Sequence, residues 1–188
     1  MTTVILSQID FSKEEQMKKL LMIITVLCIN IPVLFSQPRG LEIGDIAPEI
    51  RLPNLKGVNV ALSASRGKVV LIDFWASWCA PCVKEQSELA GCYKRYKDSD
   101  FTNGKGFEIY GVSLDNKKAE WENTITKAKI SWTQVSDLKF WTSPITKTYN
   151  IQALPYNVLV DGKGIIIAKN LHGTELEQFV KNLLIKEL

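Results

Sequence analysis

The amino-acid sequence predicts an α/β layered domain with a mixed sheet, and three observations carry that expectation. Lys68 to Trp75 (KVVLIDFW) is an unbroken apolar, β-branched and aromatic run, the pattern of a strand buried on both faces. From about Cys79 to Lys97 the pattern turns helical, and Phe107 to Leu114 (FEIYGVSL) then reads as a second strand, an order that suits a parallel crossover. Later, Tyr156 to Val160, the turn Asp161-Gly162-Lys163-Gly164 and Ile165 to Lys169 read as a hairpin. A hairpin added to a parallel crossover makes the sheet mixed.

Composition narrows the function classes. The chain has 188 residues, 46% hydrophobic and 23% charged, which excludes a disordered or low-complexity polymer. Its net charge of +3, from 23 Lys+Arg against 20 Asp+Glu, is too small to argue for nucleic acid. With a single histidine, His172, a multi-histidine metal site or a Cys-His catalytic pair has little to draw on. The four cysteines are what remain to be explained.

Leu20 to Phe35 is nearly all apolar, follows Met17-Lys18-Lys19 and ends at the small residue Ser36. Basic start, apolar middle and small end make residues 1–36 a secretory signal peptide, with cleavage near Ser36/Gln37. Met17 is a more usual signal start than Met1, so residues 1–16 read as an over-extended start. The run is short for a bilayer span, and an uncleaved, tilted anchor is the alternative. Cys28 reads as apolar filler of this segment; a lipidation site is its less favoured reading. Residues 37–188 are the expected folded domain.

Within it, Gln37 to Gly44 reads as a short linker, and Ile46 to Leu62 as a β-hairpin around Asn54-Leu55-Lys56-Gly57. After the Lys68–Trp75 strand, the helix from Cys79 gathers Leu89, Cys92, Tyr93 and Tyr96 on one face. Asn116 to Lys127 reads as a further helix, Trp132 to Val135 as a short strand, and Trp141 to Tyr149 as a short helix or a loop with a helical turn. Thr174-Glu175-Leu176-Glu177 has capping-box spacing and opens a last helix ending near Lys186.

The chemistry centres on Trp78-Cys79-Ala80-Pro81-Cys82. A Cys-x-x-Cys at a strand-to-helix junction is a redox motif with a physical basis. Unpaired N–H groups and the helix dipole favour the thiolate of Cys79, and Cys82 stands one turn on, close enough to close a disulfide. Pro81 is tolerated because the first turn needs no intrahelical donor. Cys79 is therefore the expected nucleophile and Cys82 the resolving thiol. Zinc would need four ligands, and only Cys92 and His172 remain as further soft ones; an inert disulfide is the other alternative.

Two carboxylates frame the motif. Asp73 interrupts the apolar strand six residues before Cys79. Buried without a cation, it should have a raised pKa and suit a general base for Cys82 through a water; a strand-end Asp facing solvent is the plain alternative. Glu85, three residues after Cys82, shares its helix face, where it either exchanges protons with Cys82, shapes the groove or is simply solvated. Cys92 reads as a small core hydrophobe, Trp75 as core, Trp78 as lining a substrate surface, and His172 as a solvated loop residue. Pro155, at a strand start, needs a reason to stand there.

LIDFWASWCAPC, with Glu85 and the later Ala153-Leu154-Pro155, resembles the thioredoxin superfamily, and within it the TlpA/ResA-like thiol-disulfide oxidoreductases. Ile43-Gly44-Asp45-Ile46-Ala47-Pro48 and Ser65-Arg66-Gly67-Lys68 are similar to the lead-in of that branch. The resemblance implies a thioredoxin-like fold: a mixed central β-sheet flanked by helices, with an N-terminal β-hairpin. It implies a nucleophile at Cys79, a resolving thiol at Cys82 and a cis bond before Pro155. Glu85 matches the branch's active-site glutamate and Asp73 the buried aspartate of thioredoxins. Trp78, Pro81, Leu154 and Pro155 are the implied substrate surface. Tyr156 departs from the small polar residue usual after the cis proline.

The expected function is thiol-disulfide exchange on exported proteins in the periplasm or cell envelope. The usual direction in this branch is reduction, often serving cytochrome c maturation. The redox-active Cys79-Cys82 disulfide stands in place of any cofactor or metal. Expected partners are protein thiols and disulfides and a membrane electron donor, with no nucleic acid, and the chain as a monomer. A peroxiredoxin-type peroxidase is one alternative, but that pattern needs Pro and Thr or Ser seven and three residues before its cysteine, where Ile72 and Ala76 stand. A non-catalytic binding module is the other.

Overall fold

In the computed structural model, which describes residues 17, 18 and 40–185, the apolar run becomes the central strand of a five-stranded sheet. The chain divides into two units, Met1–Ser36 and Gln37–Leu188, and the sheet belongs to the second. Apart from Met17 and Lys18, the expected signal segment with Cys28 lies outside the described residues. Among the described residues no helix is long and apolar enough to cross a membrane.

In chain order the elements begin with β1 (Arg51–Pro53) and β2 (Asn59–Ala61), a hairpin, then β3 (Val69–Trp75) and α1 (Ala80–Tyr96). A small hairpin, β4 (Asp100–Phe101) and β5 (Gly104–Lys105), precedes β6 (Phe107–Ser113). There follow α2 (Lys118–Lys127), β7 (Thr133–Val135), α3 (Pro144–Thr148), β8 (Tyr156–Val160), β9 (Ile166–Lys169) and α4 (Gly173–Asn182). The sheet order is β7-β6-β3-β8-β9. β3 runs parallel to β6 and β6 to β7, while β8 is antiparallel to both β3 and β9. This is the mixed sheet expected, and the N-terminal hairpin is present.

All seven residues of β3 are buried, because the sheet is covered on both faces. Side chains alternate along a strand, so odd and even positions enter different cores. Val69, Leu71 and Trp75 pack with Leu89, Cys92 and Tyr96 of α1, Trp121 of α2, and Leu176 and Val180 of α4. Val70, Ile72 and Phe74 pack on the other side with Tyr110, Ile145 and Tyr149. Asp73 has the odd parity, so it points toward the α1 and α4 side.

The structure departs from the sequence-based expectations in several places. It adds the β4–β5 hairpin, whose two-residue strands show no alternation to read. The last helix stops at Asn182 rather than near Lys186, because its end is drawn into pairing: Thr102 N donates to the Leu183 carbonyl, and Leu184 bridges Phe101. Nor does Thr174 cap that helix. His172 is the capping position and makes no side-chain cap bond; its ring is engaged elsewhere. The Trp141–Tyr149 segment resolves into a 3-10 turn, Phe140–Thr142, followed by α3, which Ser143 Oγ caps at Ile145 N and Pro144 opens.

Candidate active site

β3 ends at Trp75, and a short turn delivers Cys79 to the start of α1. Asp115, just past β6, fixes that turn. It accepts from Ser77 N at 3.1 Å, from Ser77 Oγ at 2.6 Å and from Ser113 Oγ at 2.6 Å. Cys79 N then donates to the Ala76 carbonyl. Cys79 is the N-cap of α1 in an extended conformation, and its Sγ accepts from Cys82 N at 3.3 Å. Unpaired N–H groups of a first turn favour negative charge on such a sulfur. Cys79 and Cys82 form a disulfide, with Cα atoms 5.2 Å apart. Both cysteines are buried, Cys79 at 6% exposure and Cys82 at 1%, so Cys79 is the more accessible residue of the two.

Asp73 is buried, at 2% exposure, so the solvent-facing alternative is excluded. Among the described residues one donor reaches its carboxylate, Gln86 Nε2 at 3.2 Å from Oδ2; the same amide faces the Cys82 carbonyl at 3.5 Å. Burial pushes the Asp73 carboxyl up to about 7. The Gln86 hydrogen bond opposes this, the Glu85 charge adds to it, and His172 counters in part.

Glu85 is not a solvated helix residue. Its Oε1 lies 2.8 Å from Nδ1 of His172, and its side chain is 11% exposed. The expectation of a solvated loop histidine is corrected with it. His172 is half-buried, and its Nε2 lies 3.0 Å from Asn170 Oδ1. The sequence hides the pair because 87 positions separate its members.

The Leu154–Pro155 bond is cis and stands directly before β8. Register aligns Tyr156 with Phe74 and Asn157 with Asp73, which brings this bond to the end of β3 that carries the motif. Tyr156 stacks on Phe74 at 5.9 Å. Trp78 is exposed and touches two aromatic rings, Phe140 at 5.2 Å and Trp141 at 6.3 Å. Pro81 is exposed one residue before Cys82. Cys92 is a free, buried thiol, and burial pushes it up to about 11, so it stays protonated.

Sequence reasoning misses Gln86, Asp115 and the partners Phe140 and Trp141. Gln86 carries a signal, since a residue four after Cys82 shares its helix face. The others carry none, because only the folded sheet brings them to the motif. Among the described residues no group of three or more His, Cys, Asp or Glu could hold a metal.

Comparison with known proteins fixes the lineage. The profile of the AhpC/TSA family matches residues 43–169. The chain belongs to the AhpC/TSA family. Among solved members of similar fold, the thioredoxin domain of a thiol-disulfide oxidoreductase from Bacteroides vulgatus is 37% identical. It superposes with TM-score 0.70 over 78% of this chain and 100% of that one. A thiol-disulfide oxidoreductase from Bacteroides fragilis is 38% identical, with TM-score 0.68 over 74% of this chain and 100% of that one. The thiol-disulfide oxidoreductase ResA of Bacillus cereus is 29% identical over 153 residues, 79% of this chain and 83% of its own length. Within the AhpC/TSA family, then, this chain is a thioredoxin-like thiol-disulfide oxidoreductase with a Cys79-Cys82 pair.

Proposed function

We propose that the chain reduces disulfides of exported proteins through Cys79 and Cys82, a role of the cytochrome c maturation type. The observation that carries this reading is a Cys79–Cys82 disulfide at the start of α1, on the helix whose Gln86 holds the buried Asp73 carboxyl. In the dithiol form, the Cys79 thiolate attacks one sulfur of the substrate disulfide. A Cys79–substrate bond forms, the substrate S–S bond breaks, and the freed thiolate takes a proton from solvent. Cys82 then loses its proton to a buried carboxylate and attacks Cys79 Sγ, expelling the second substrate thiolate, which is protonated in turn. Two electrons pass to the substrate, and the protein is left as the disulfide.

Asp73 and Glu85 are the proton-exchanging candidates. An acid near 7 can accept a proton from Cys82 and return it within the working pH range. Trp78, Pro81, Leu154 and Pro155 form the substrate-facing surface. No cofactor or metal enters the cycle, and a membrane protein that supplies two electrons restores the dithiol. The monomer acts in the periplasm or cell envelope, delivered by residues 1–36.

Cys82→Ser tests the exchange. Incubated with a disulfide-containing peptide, this variant should hold the peptide on Cys79 as a reductant-sensitive adduct on a denaturing gel, and no adduct forming would overturn the reading. Direction is tested by equilibrating the wild type against glutathione or dithiothreitol. A potential toward the thioredoxin value of about −270 mV supports reduction, and one near the DsbA value of about −120 mV overturns it.

A further inference from the structure

Trp78 is the chain neighbour of Cys79, so a polypeptide whose sulfur reaches Cys79 comes within reach of its ring. We propose that Phe140 and Trp141 are specificity-determining residues: with Trp78 they form an aromatic ledge that receives an apolar side chain of the substrate polypeptide beside its reacting cysteine. The inference rests on the exchange function proposed above and names the substrate class of that same site.

The three rings touch one another. Trp78 lies 5.2 Å from Phe140 and 6.3 Å from Trp141, and Phe140 lies 6.3 Å from Trp141. Trp78 is 43% exposed and Phe140 37%. Among the described residues these two are the aromatic members of the exposed large hydrophobic set, and they meet beside the redox pair. Single exposed apolar residues need no explanation, whereas a contiguous group at a reactive site marks a contact surface. The ledge continues the substrate-facing surface through Trp78, which belongs to both.

The turn that carries the ledge is strained and firmly held. Leu138 has φ 56° and Phe140 φ 53°, left-handed values that bulky side chains rarely adopt. Leu138 packs on the core that α1 covers and Trp141 on the core of the opposite face, while Phe140 is turned to solvent. Strain of this kind persists where the surroundings enforce it, and it clusters at functional sites. Here Asp137 accepts from Lys139 N at 3.2 Å and from Ser143 Oγ at 2.8 Å, and Leu138 N donates to Ser136 Oγ at 3.1 Å. Ser136 Oγ donates to the Ser113 carbonyl at 2.8 Å, and Ser113 Oγ donates to Asp115, which also holds Ser77. One hydrogen-bonded chain thus joins the turn under Phe140 to the turn that carries Trp78. The rings are set before substrate arrives, so docking on them orders little.

The chemistry of the occupant follows from what the ledge offers. The carbonyls of Lys139 and Phe140 accept from Thr142 N and Ser143 N, and the Trp141 carbonyl accepts from Thr146 Oγ1. The turn spends these acceptors on itself and presents ring faces. A leucine or phenylalanine side chain gains by burial there, and a polar one gains little.

The test uses the full chain and two dye-labelled peptides in which serine replaces the reacting cysteine. They differ in the residue before that serine, Leu in one and Ser in the other, and fluorescence polarisation gives each Kd. The wild type should bind the Leu peptide about 10-fold more tightly. Phe140→Gly removes the ring at a φ that glycine adopts freely, so the turn keeps its conformation. It should bring the ratio to within about threefold, and Phe140→Trp should restore it. A purely structural role of Phe140 would shift both peptides alike and leave the ratio in place. The disulfide forms of the same peptides should show the preference in kcat/KM, carried by KM. Equal Kd values in the wild type, absence of binding included, overturn the proposal, as does a ratio that survives Phe140→Gly. A wild-type dimer that Phe140→Gly dissociates would seat a second copy on the ledge and overturn it too. A reduced wild type that leaves both disulfide peptides intact would instead strike the exchange function, while the Kd ratio still decides the ledge.

Discussion

Asp73 and Asp115 are buried acids near the same ends of neighbouring parallel strands, β3 and β6, and they are treated in opposite ways. Asp115 is surrounded by donors: the backbone and hydroxyl of Ser77 and the hydroxyl of Ser113. Among the described residues Asp73 has one, the Gln86 amide. Donors replace the water a carboxylate loses on burial, so a well-served acid acts as a clamp. Asp115 accordingly joins the end of β6 to the turn before Cys79. An under-served acid keeps the desolvation penalty, and its proton becomes easy to hold and to release near neutrality. Burial is the same in both cases, and the number of donors separates scaffold from chemistry.

Substituting each acid should separate them further, beginning with the largest effect. Asp73→Asn should stabilise the fold at pH 8 by on the order of 4 kcal/mol, since a carboxyl at about 7 in the folded state against 3.8 otherwise carries that penalty when ionised. The sign follows from the raised value. The stability of the protonated form is fully present below about pH 4 and is lost as pH rises through about 7. Urea unfolding of wild type and variant from pH 4 to 8 should show a gap widening with pH, and a constant gap would contradict the burial assigned to Asp73.

Asp115→Ala should go the other way, costing about 3 kcal/mol at neutral pH, because Ser77 N and two hydroxyls lose their acceptor. Urea midpoints measure this as well, and a loss below about 0.5 kcal/mol would mean the clamp is slack. The smallest effect should come from Gln86→Leu. Removing the one donor should raise the Asp73 midpoint by roughly half a unit to one unit, read from the titration of its carboxyl carbon by NMR. No movement would show that the amide does not reach the carboxylate in solution.

Legibility in the sequence follows locality. The central strand, the helix beginning at the motif and the late hairpin can be read because period and turn residues are local properties. Cys79 and Cys82 are legible as a pair for the same reason, and Asp73 as an acid among apolar neighbours. The β4–β5 hairpin is too short for a pattern. The end of α4 is set by pairing with Phe101, and the ring of His172 is taken by Glu85 rather than by water. Gln134 shows the same limit. It lies over Gly111 on β6, where a Cβ would meet its side chain at 2.1 Å, and it accepts from Trp75 Nε1 at 2.9 Å. Nothing near Gly111 in sequence says that a side chain from another strand needs that space.

The sequence by itself determined the fold class, the strand that is buried on both faces and the two sulfurs that meet at a helix start. Each depends on residues within a turn or a strand of one another, whose geometry the backbone dictates. Only the tertiary structure decided how the acids divide: Asp73 left with one donor among the described residues, Asp115 satisfied by serines and Glu85 joined to the only histidine. Hydrogen bonds and ion pairs form between whatever groups the packed sheet and helices bring within about 3 Å, and no local pattern encodes that meeting.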